Sequence, residues 1–293
     1  MTPVDAMALH GPDAQSAIHE AVRTLKETGF WKPHTGHRDV VIHIKEVGTI
    51  HVTPNDGDRV LIIVDGSIET TIIEESIDAT CAIDLLTDAD SRVRYAAIVR
   101  GRSSVTRFAH IGQDASLHWV SYAEGENARS TTTTYLAGKG SDAKFSGCFL
   151  GTDTQEYTMS STMIHAGDKS TSNMLTRAAL LGASIGSADG LIRILPHAKG
   201  CDAYQRGEAL LLSKDARMRA EPNLEIANPE VKCSHGVSLS RIDDDKLFYF
   251  LARGIPKSEA IILVVEGFFA TIIDQFKDDA DDLKTALAAR IVQ

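Results

Sequence analysis

The sequence predicts a mainly β protein, built from short repeated strands and completed by helices at its C-terminus. Three observations carry that expectation. From Asp39 the chain falls into short runs rich in Val, Ile and Thr. Beyond Asp90, glycines recur at Gly101, Gly112, Gly125, Gly138, Gly151, Gly167 and Gly182, at intervals of 11 to 16 residues. After Asn228 the pattern gives way to apolar stretches with helix start and stop signals.

Residues 14–30, AQSAIHEAVRTLKETGF, suit an amphipathic helix with Ile18, Val22 and Leu25 on one side and Gly29 as its stop. Pro33 and Gly36 punctuate a linker. DVVIHIKEV, TIHVTP, RVLIIVDG and SIETTIIEES then follow as strands. Segments such as SSVTRFAHIG, ASLHWVSYAEG and ARSTTTTYLAG are alike in length and rich in small or hydroxyl residues. Repetition of this kind fits either an antiparallel sandwich or a β-solenoid, whose coils bury their apolar faces only by stacking. No Asn-Gly or Asp-Gly hairpin turn lies between Ser91 and Gly182, and small side chains allow close stacking. Periodicity by itself leaves the two architectures open.

IDDDKLFYFLARGIP has the marks of a helix: Asp243 as N-cap, acidic residues in the first turn, Arg253 in the last and Gly254 at the left-handed C′ position, with Ile255 packing back on Phe250. Leu247–Leu251 covers more than one turn with apolar side chains, more than a single buried stripe holds. Pro256 opens a second helix, KSEAIILVVEGFFATIIDQF, and DDADDLKTALAARI forms a last, more exposed one.

Composition narrows function. The chain has 293 residues, is 43% hydrophobic and 24% charged, and carries a formal net charge of −10. That balance disfavours broad contact with nucleic acid or anionic lipid. The start MTPVDAMALHGPDAQ lacks the basic and apolar regions of a signal peptide, so a soluble cytoplasmic protein is expected. Cys81, Cys148, Cys201 and Cys233 are far apart and form no C-x-x-C pair. Cys148 is expected to pack inside the strand stack and Cys81 to be structural. GASIGSADG lacks the G-x-x-x-x-G-K-[ST] pattern of a phosphate cradle, and the acidic runs at 88–91 and 278–282 suit solvated turns.

PNLEIANPEVKCSHG, SRIDDDKLFYFLARGI and GEALLLSKDARMRAEPNLEI, with a weaker echo in RVLIIVDGSIETTIIEES, resemble the SufB/SufD family of iron–sulfur cluster assembly scaffolds. The likeness is dense from about Gly207 to Phe269. It implies a right-handed parallel β-helix core over residues 39–235, after an N-terminal helical segment at 1–38 and before a C-terminal helical domain at 236–293. It implies docking of the C-terminal helices on a SufC-like ABC ATPase, through Leu247, Phe248, Phe250, Leu251, Arg253 and Gly254. It also implies pairing with a second copy or a SufB/SufD paralogue through the β-helix, a sulfur donor, and no nucleotide on this chain. The family's SufB branch carries Glu-His-Glu where this chain has Ser234, His235 and Gly236, and cysteines where it has Gly207 or Glu208 and Ser76. On all three counts this sequence sides with SufD.

Cys233 and His235 are the candidate ligands of a transient iron–sulfur cluster. On a strand the two share a face, with α-carbons ~6.6 Å apart. In a helix they diverge. Thiolate sulfur and imidazole nitrogen both suit such clusters, and a twofold dimer doubles two ligands to four. Cys201 is a further candidate, as sulfur acceptor or added ligand. The plainer reading makes Cys233 a small apolar residue and His235 a hydrogen-bonded one. Two other functions stay in view: a structural adaptor that holds no cluster, and, by fold analogy alone, a polysaccharide enzyme, which an aromatic fraction of 6% disfavours.

Overall fold

The computed structural model describes residues 20–21, 23–28, 38–242 and 244–292. Sixteen strands form two parallel sheets. The first holds β1 (Arg38–Ile44), β3 (Asp58–Val64), β5 (Thr80–Thr87), β7 (Ser104–Ile111), β9 (Arg129–Leu136), β11 (Glu156–His165), β13 (Ile185–Ile194) and β15 (Arg217–Ile226), in that order. The second holds β2 (Gly48–Val52), β4 (Glu69–Ile77), β6 (Arg92–Arg100), β8 (Ser116–Glu124), β10 (Asp142–Gly151), β12 (Thr171–Leu180), β14 (Asp202–Leu211) and β16 (Lys232–Arg241). Consecutive strands alternate between the sheets, so each coil adds one strand to both and climbs by one strand spacing, ~4.8 Å. This is a parallel β-helix, and the sandwich alternative falls away.

Alternation within each strand decides what lies inside. In β4, Thr70, Ile72, Glu74 and Ser76 are buried while their neighbours are half-exposed or exposed. The inward faces of both sheets make one continuous core, with Ile62, Leu85, Tyr95, Trp119, Phe145 and Ile192 among its members. One ion pair lies within it. Arg107 Nε and Nη2 donate to the two oxygens of Glu74, at 2.6 Å each, and Nη1 donates to Ser130 at 2.8 Å. Tyr95 and Ser76 donate to the same carboxylate, at 2.8 and 2.7 Å. Burial disfavours the guanidinium charge, but Glu74 outweighs that effect and holds Arg107 above its ordinary value.

Five of the rhythmic glycines, Gly112, Gly125, Gly138, Gly167 and Gly182, mark corners where one coil rests on the backbone of the last. A Cβ on Gly138 would lie 2.1 Å from Gln113 N, and one on Gly167 2.0 Å from Gly138 O. No side chain fits there.

The outer face of the second sheet is apolar and covered. Ala96, Val120, Cys148 and Leu150 meet side chains of α3 (Lys257–Ile273), the 3₁₀ turn Asp274–Asp279 and α4 (Ala280–Val292). One expectation changes here. Cys148 is buried beneath these helices and not inside the β-helix, because strand alternation points Phe145 and Phe149 inward and Cys148 outward. The last helix is the more exposed of the two, as expected, with Leu283 and Leu287 anchoring it. Arg177 Nη1 donates to Phe268 O at 2.7 Å, fixing α3 to the sheet, and Arg290 Nη2 donates to Gln155 Oε1 at 2.8 Å, fixing α4 to the turn after β10.

Outside the first sheet, a helical segment α1 (residues 20–21 and 23–27) packs Ala21 and Leu25 on Leu61 and Phe108. Ile18, Val22, Gly29, Pro33, Gly36 and Asp243 lie outside the described residues. The solenoid runs on to Arg241 rather than ending at 235. The alternation Val237, Ser238, Leu239, Ser240 continues the strand. It leads into α2 (Asp244–Leu251). Gly254 takes φ +78°, and Ile255 N donates to Phe250 O at 3.2 Å, closing the helix as the sequence predicts. Among the described residues no helix is long and apolar enough to cross a membrane.

Candidate functional site at the open end of the solenoid

Among the described residues, β15 and β16 are the last strands of their sheets, each hydrogen-bonded on one side alone. β16 lies in register on β14, with Ala203 opposite Cys233 and Gln205 opposite His235. The same columns continue downward through Ser172 and Ala143, and through Met174 and Phe145. All six of these lower residues are buried in the interior. Cys233 and His235 therefore occupy core-facing positions in a coil that, among the described residues, has no coil above it.

This explains their unequal exposure. Cys233 is half-buried and packs on the interior core, whereas His235 is exposed. Burial pushes the Cys233 thiol above its ordinary value, and the Asp202 carboxylate adds to the shift. Metal binding at this sulfur must therefore displace a firmly held proton. Around the pair the terminal coil exposes Val237, Leu239 (50% exposed) and Ile226; the residues one coil below Leu239 and Ile226, Ala209 and Ile194, are core members. Gln205 forms part of the floor, its Nε2 donating to Asn223 O across the lumen at 2.9 Å.

Cys201 is one coil lower and buried. Its Sγ lies 3.4 Å from Ser170 Oγ, which is itself 2.8 Å from His165 Nδ1. Burial lowers the His165 pKa to about 4, so this histidine is neutral near pH 7. The structure brings Cys233 and His235 to one face and leaves Cys201 beneath it. Among the described residues no group of three His, Cys, Asp or Glu is placed to hold a metal ion. A site on this face would need further ligands from a second surface.

α2 follows directly behind β16. Leu247 is buried and Phe250 half-buried, whereas Phe248 (67% exposed), Leu251 and Arg253 face solvent. Tyr249, which the sequence reading passed over, is exposed too, and the Arg253 guanidinium sits 3.6 Å from the centre of its ring. Sequence reading also missed Val237, Leu239 and Ile226 as surface residues. Their alternation signals a buried strand face, and only the end of the stack exposes them.

These features define a parallel β-helix with one sheet covered by C-terminal helices and one end left open. Residues 52–268 match the family model described as SUF system FeS cluster assembly, SufBD core domain. The chain belongs to that family. It is 29% identical over 231 residues to the iron–sulfur cluster assembly protein SufD of Bacillus subtilis, covering 74% of this chain and 53% of that one. It is 29% identical to a SufBD family protein of Mycobacterium leprae over 286 residues, 94% of this chain and 64% of the relative. A SufBD family protein of Antithamnion sp. is 31% identical over 202 residues, 64% of this chain and 67% of its own. The chain spans from 35% to 67% of the length of the curated relatives named here and of a further one from Pyropia yezoensis.

Proposed function

We propose that this chain is a non-enzymatic scaffold subunit on which iron–sulfur clusters are assembled, with the nascent cluster held as cargo between two solenoid ends. The observation that carries the reading is the placement of Cys233 and His235 on the core-facing side of an uncovered terminal strand. Cys233 would supply a thiolate and His235 a ring nitrogen. Across a twofold the pair becomes two cysteines and two histidines. The partner end is a second copy or a SufB/SufD paralogue. Three features support pairing there. Among the described residues the outer edge of β16 has no strand partner, β16 contains no proline, and its own Val237 and Leu239 are exposed. Pro222 blunts the edge of β15, which favours β16 as the pairing strand.

A SufC-like ABC ATPase is the proposed partner of α2, through Phe248, Leu251, Arg253 and Gly254, with Tyr249 added, whereas Leu247 and Phe250, expected among the docking residues, face this chain's own cleft. The exposed aromatic side of α2 supports that docking surface. Closure of the ATPase would strain the paired ends and expose the cargo. The second reading, a structural adaptor without a cluster, is favoured by Ser234 and Gly236 in place of flanking carboxylates and by the burial of Cys201.

Anaerobic reconstitution with iron and sulfide, on the chain purified with its ATPase, separates the two. The scaffold reading expects visible cluster absorption that His235→Ala and Cys233→Ala each diminish. Absorption that neither substitution alters removes the assigned ligands, and no absorption in a folded complex leaves the adaptor. Phe248→Asp with Leu251→Asp is expected to abolish co-purification with the ATPase while circular dichroism stays unchanged.

A further inference from the structure

The back of β16 and the inner side of α2 do not close on each other. Between them lies a cleft of about 260 Å³. Ser240 and Ile242 line it from the strand side, Leu247 and Phe250 from α2, and Val264 and Phe268 from α3. The cleft opens to solvent, and Glu208, Ser238 and Ser240 share its lining with the apolar side chains, so the apolar groups of α2 and α3 stay wetted there.

The elements around the cleft differ sharply in how firmly they are held. α3 is fixed, because Val265, Phe269 and Ile272 are fully buried against the second sheet and Arg177 binds the Phe268 carbonyl. β16 has one strand neighbour. α2 has Leu247 as its one buried side chain among those described. Its far end turns at Gly254, where φ is +78° and an added Cβ would meet nothing within 4 Å. Its near end is joined to β16 through residues 242 and 243 alone.

We infer that α2 is a hinged plate over this cleft, and that its seating sets the position of β16. Movement of the plate toward α3 expels water, buries the rest of Phe250, and presses on Ser240 and Ile242. Those residues belong to the same strand, or its direct extension, that carries Cys233 and His235 on its other face. A rigid strand has no independent faces. Pressure on the back therefore shifts the pair at the front. This deepens the reading above, since a partner pressing on the exposed side of α2 would drive the plate. The coupling itself is a property of the chain alone.

Hydrogen exchange followed by mass spectrometry, on the full chain without ATPase, iron or sulfide, tests the coupling. Phe250→Ala loosens the plate from within. It is expected to speed exchange roughly tenfold in 244–251 and in 232–241 together, with β8 and β10 unchanged. Phe248→Ala, on the outer side of the plate, is expected to change neither segment. If Phe250→Ala does not fold, Val264→Ala widens the cleft from its fixed wall and carries the same expectation. The inference is overturned if 244–251 responds while 232–241 does not, if neither responds, or if Phe248→Ala has the effect of Phe250→Ala. None of these outcomes bears on whether Cys233 and His235 bind a cluster, which the reconstitution decides.

Discussion

Replacing Arg107 with Met is expected to destabilise the solenoid by about 3–5 kcal/mol, the usual cost of leaving one member of a buried ion pair alone. The magnitude follows from the surroundings. Arg107 is 1% exposed and Glu74 0%. Glu74 accepts four hydrogen bonds, two from the guanidinium at 2.6 Å and one each from Ser76 and Tyr95. Loss of Arg107 leaves a carboxylate in the core with two hydroxyl donors, and takes from Ser130 its 2.8 Å partner. The double variant Glu74→Gln/Arg107→Met removes both charges. It is expected to recover about 2 kcal/mol of the loss, since the hydroxyl partners stay imperfectly satisfied while the isolated charge is gone. Urea unfolding followed by circular dichroism measures both. With a slope of about 2–3 kcal/mol/M, the single variant should shift the midpoint down by roughly 1–2.5 M. A single variant within about 1 kcal/mol of the parent, or a double variant less stable than the single, would refute the view that charge pairing holds this network together.

Gly138→Ala should cost about 2 kcal/mol or more, because its Cβ would lie 2.1 Å from Gln113 N at a backbone-on-backbone corner, and an unchanged melting temperature would remove the stacking account of the glycine rhythm. Alkylation at Cys233 by iodoacetamide should be slower than for a free thiol, since burial and then Asp202 raise its pKa. Its rate should rise about tenfold per pH unit below that pKa, because only the thiolate reacts. At one fixed pH, Asp202→Asn should speed the reaction, as the thiolate loses a repelling carboxylate. A rate that ignores Asp202 sinks that assignment. Under the same conditions Cys81 should stay unmodified, its pKa pushed up to about 11 by burial first and Glu74 second.

The parts of the fold that sequence made legible are those where local pattern and global packing agree. Alternation located the strands, and the helix signals at Gly254 and Pro256 placed the ends of α2 and α3. The choice of solenoid over sandwich needed the family likeness, since strand length and turn spacing are common to both. Cys148 went to the wrong face because nothing in FSGCFLG tells an apolar outer face from an apolar core. Both sides of β10 are covered, one by the opposing sheet and one by helices. The Glu74–Arg107 pair was invisible for a related reason. A charge in a strand reads as solvent-facing, and its partner is 33 residues away on the other sheet. At the candidate site, the shared face of Cys233 and His235 followed from strand geometry alone. The uncovered state of that face did not, because it depends on where the stack stops.

That stopping point has a mechanical consequence. In a column of coils, each layer is gripped from above and below, except at the extremities. Warmed or pulled, such a column loosens from a tip, much as a spring sheds its last turn before the middle gives way. The layer on which the proposed cargo would rest is one of these tips, so letting go of it would not require disturbing the remainder of the column.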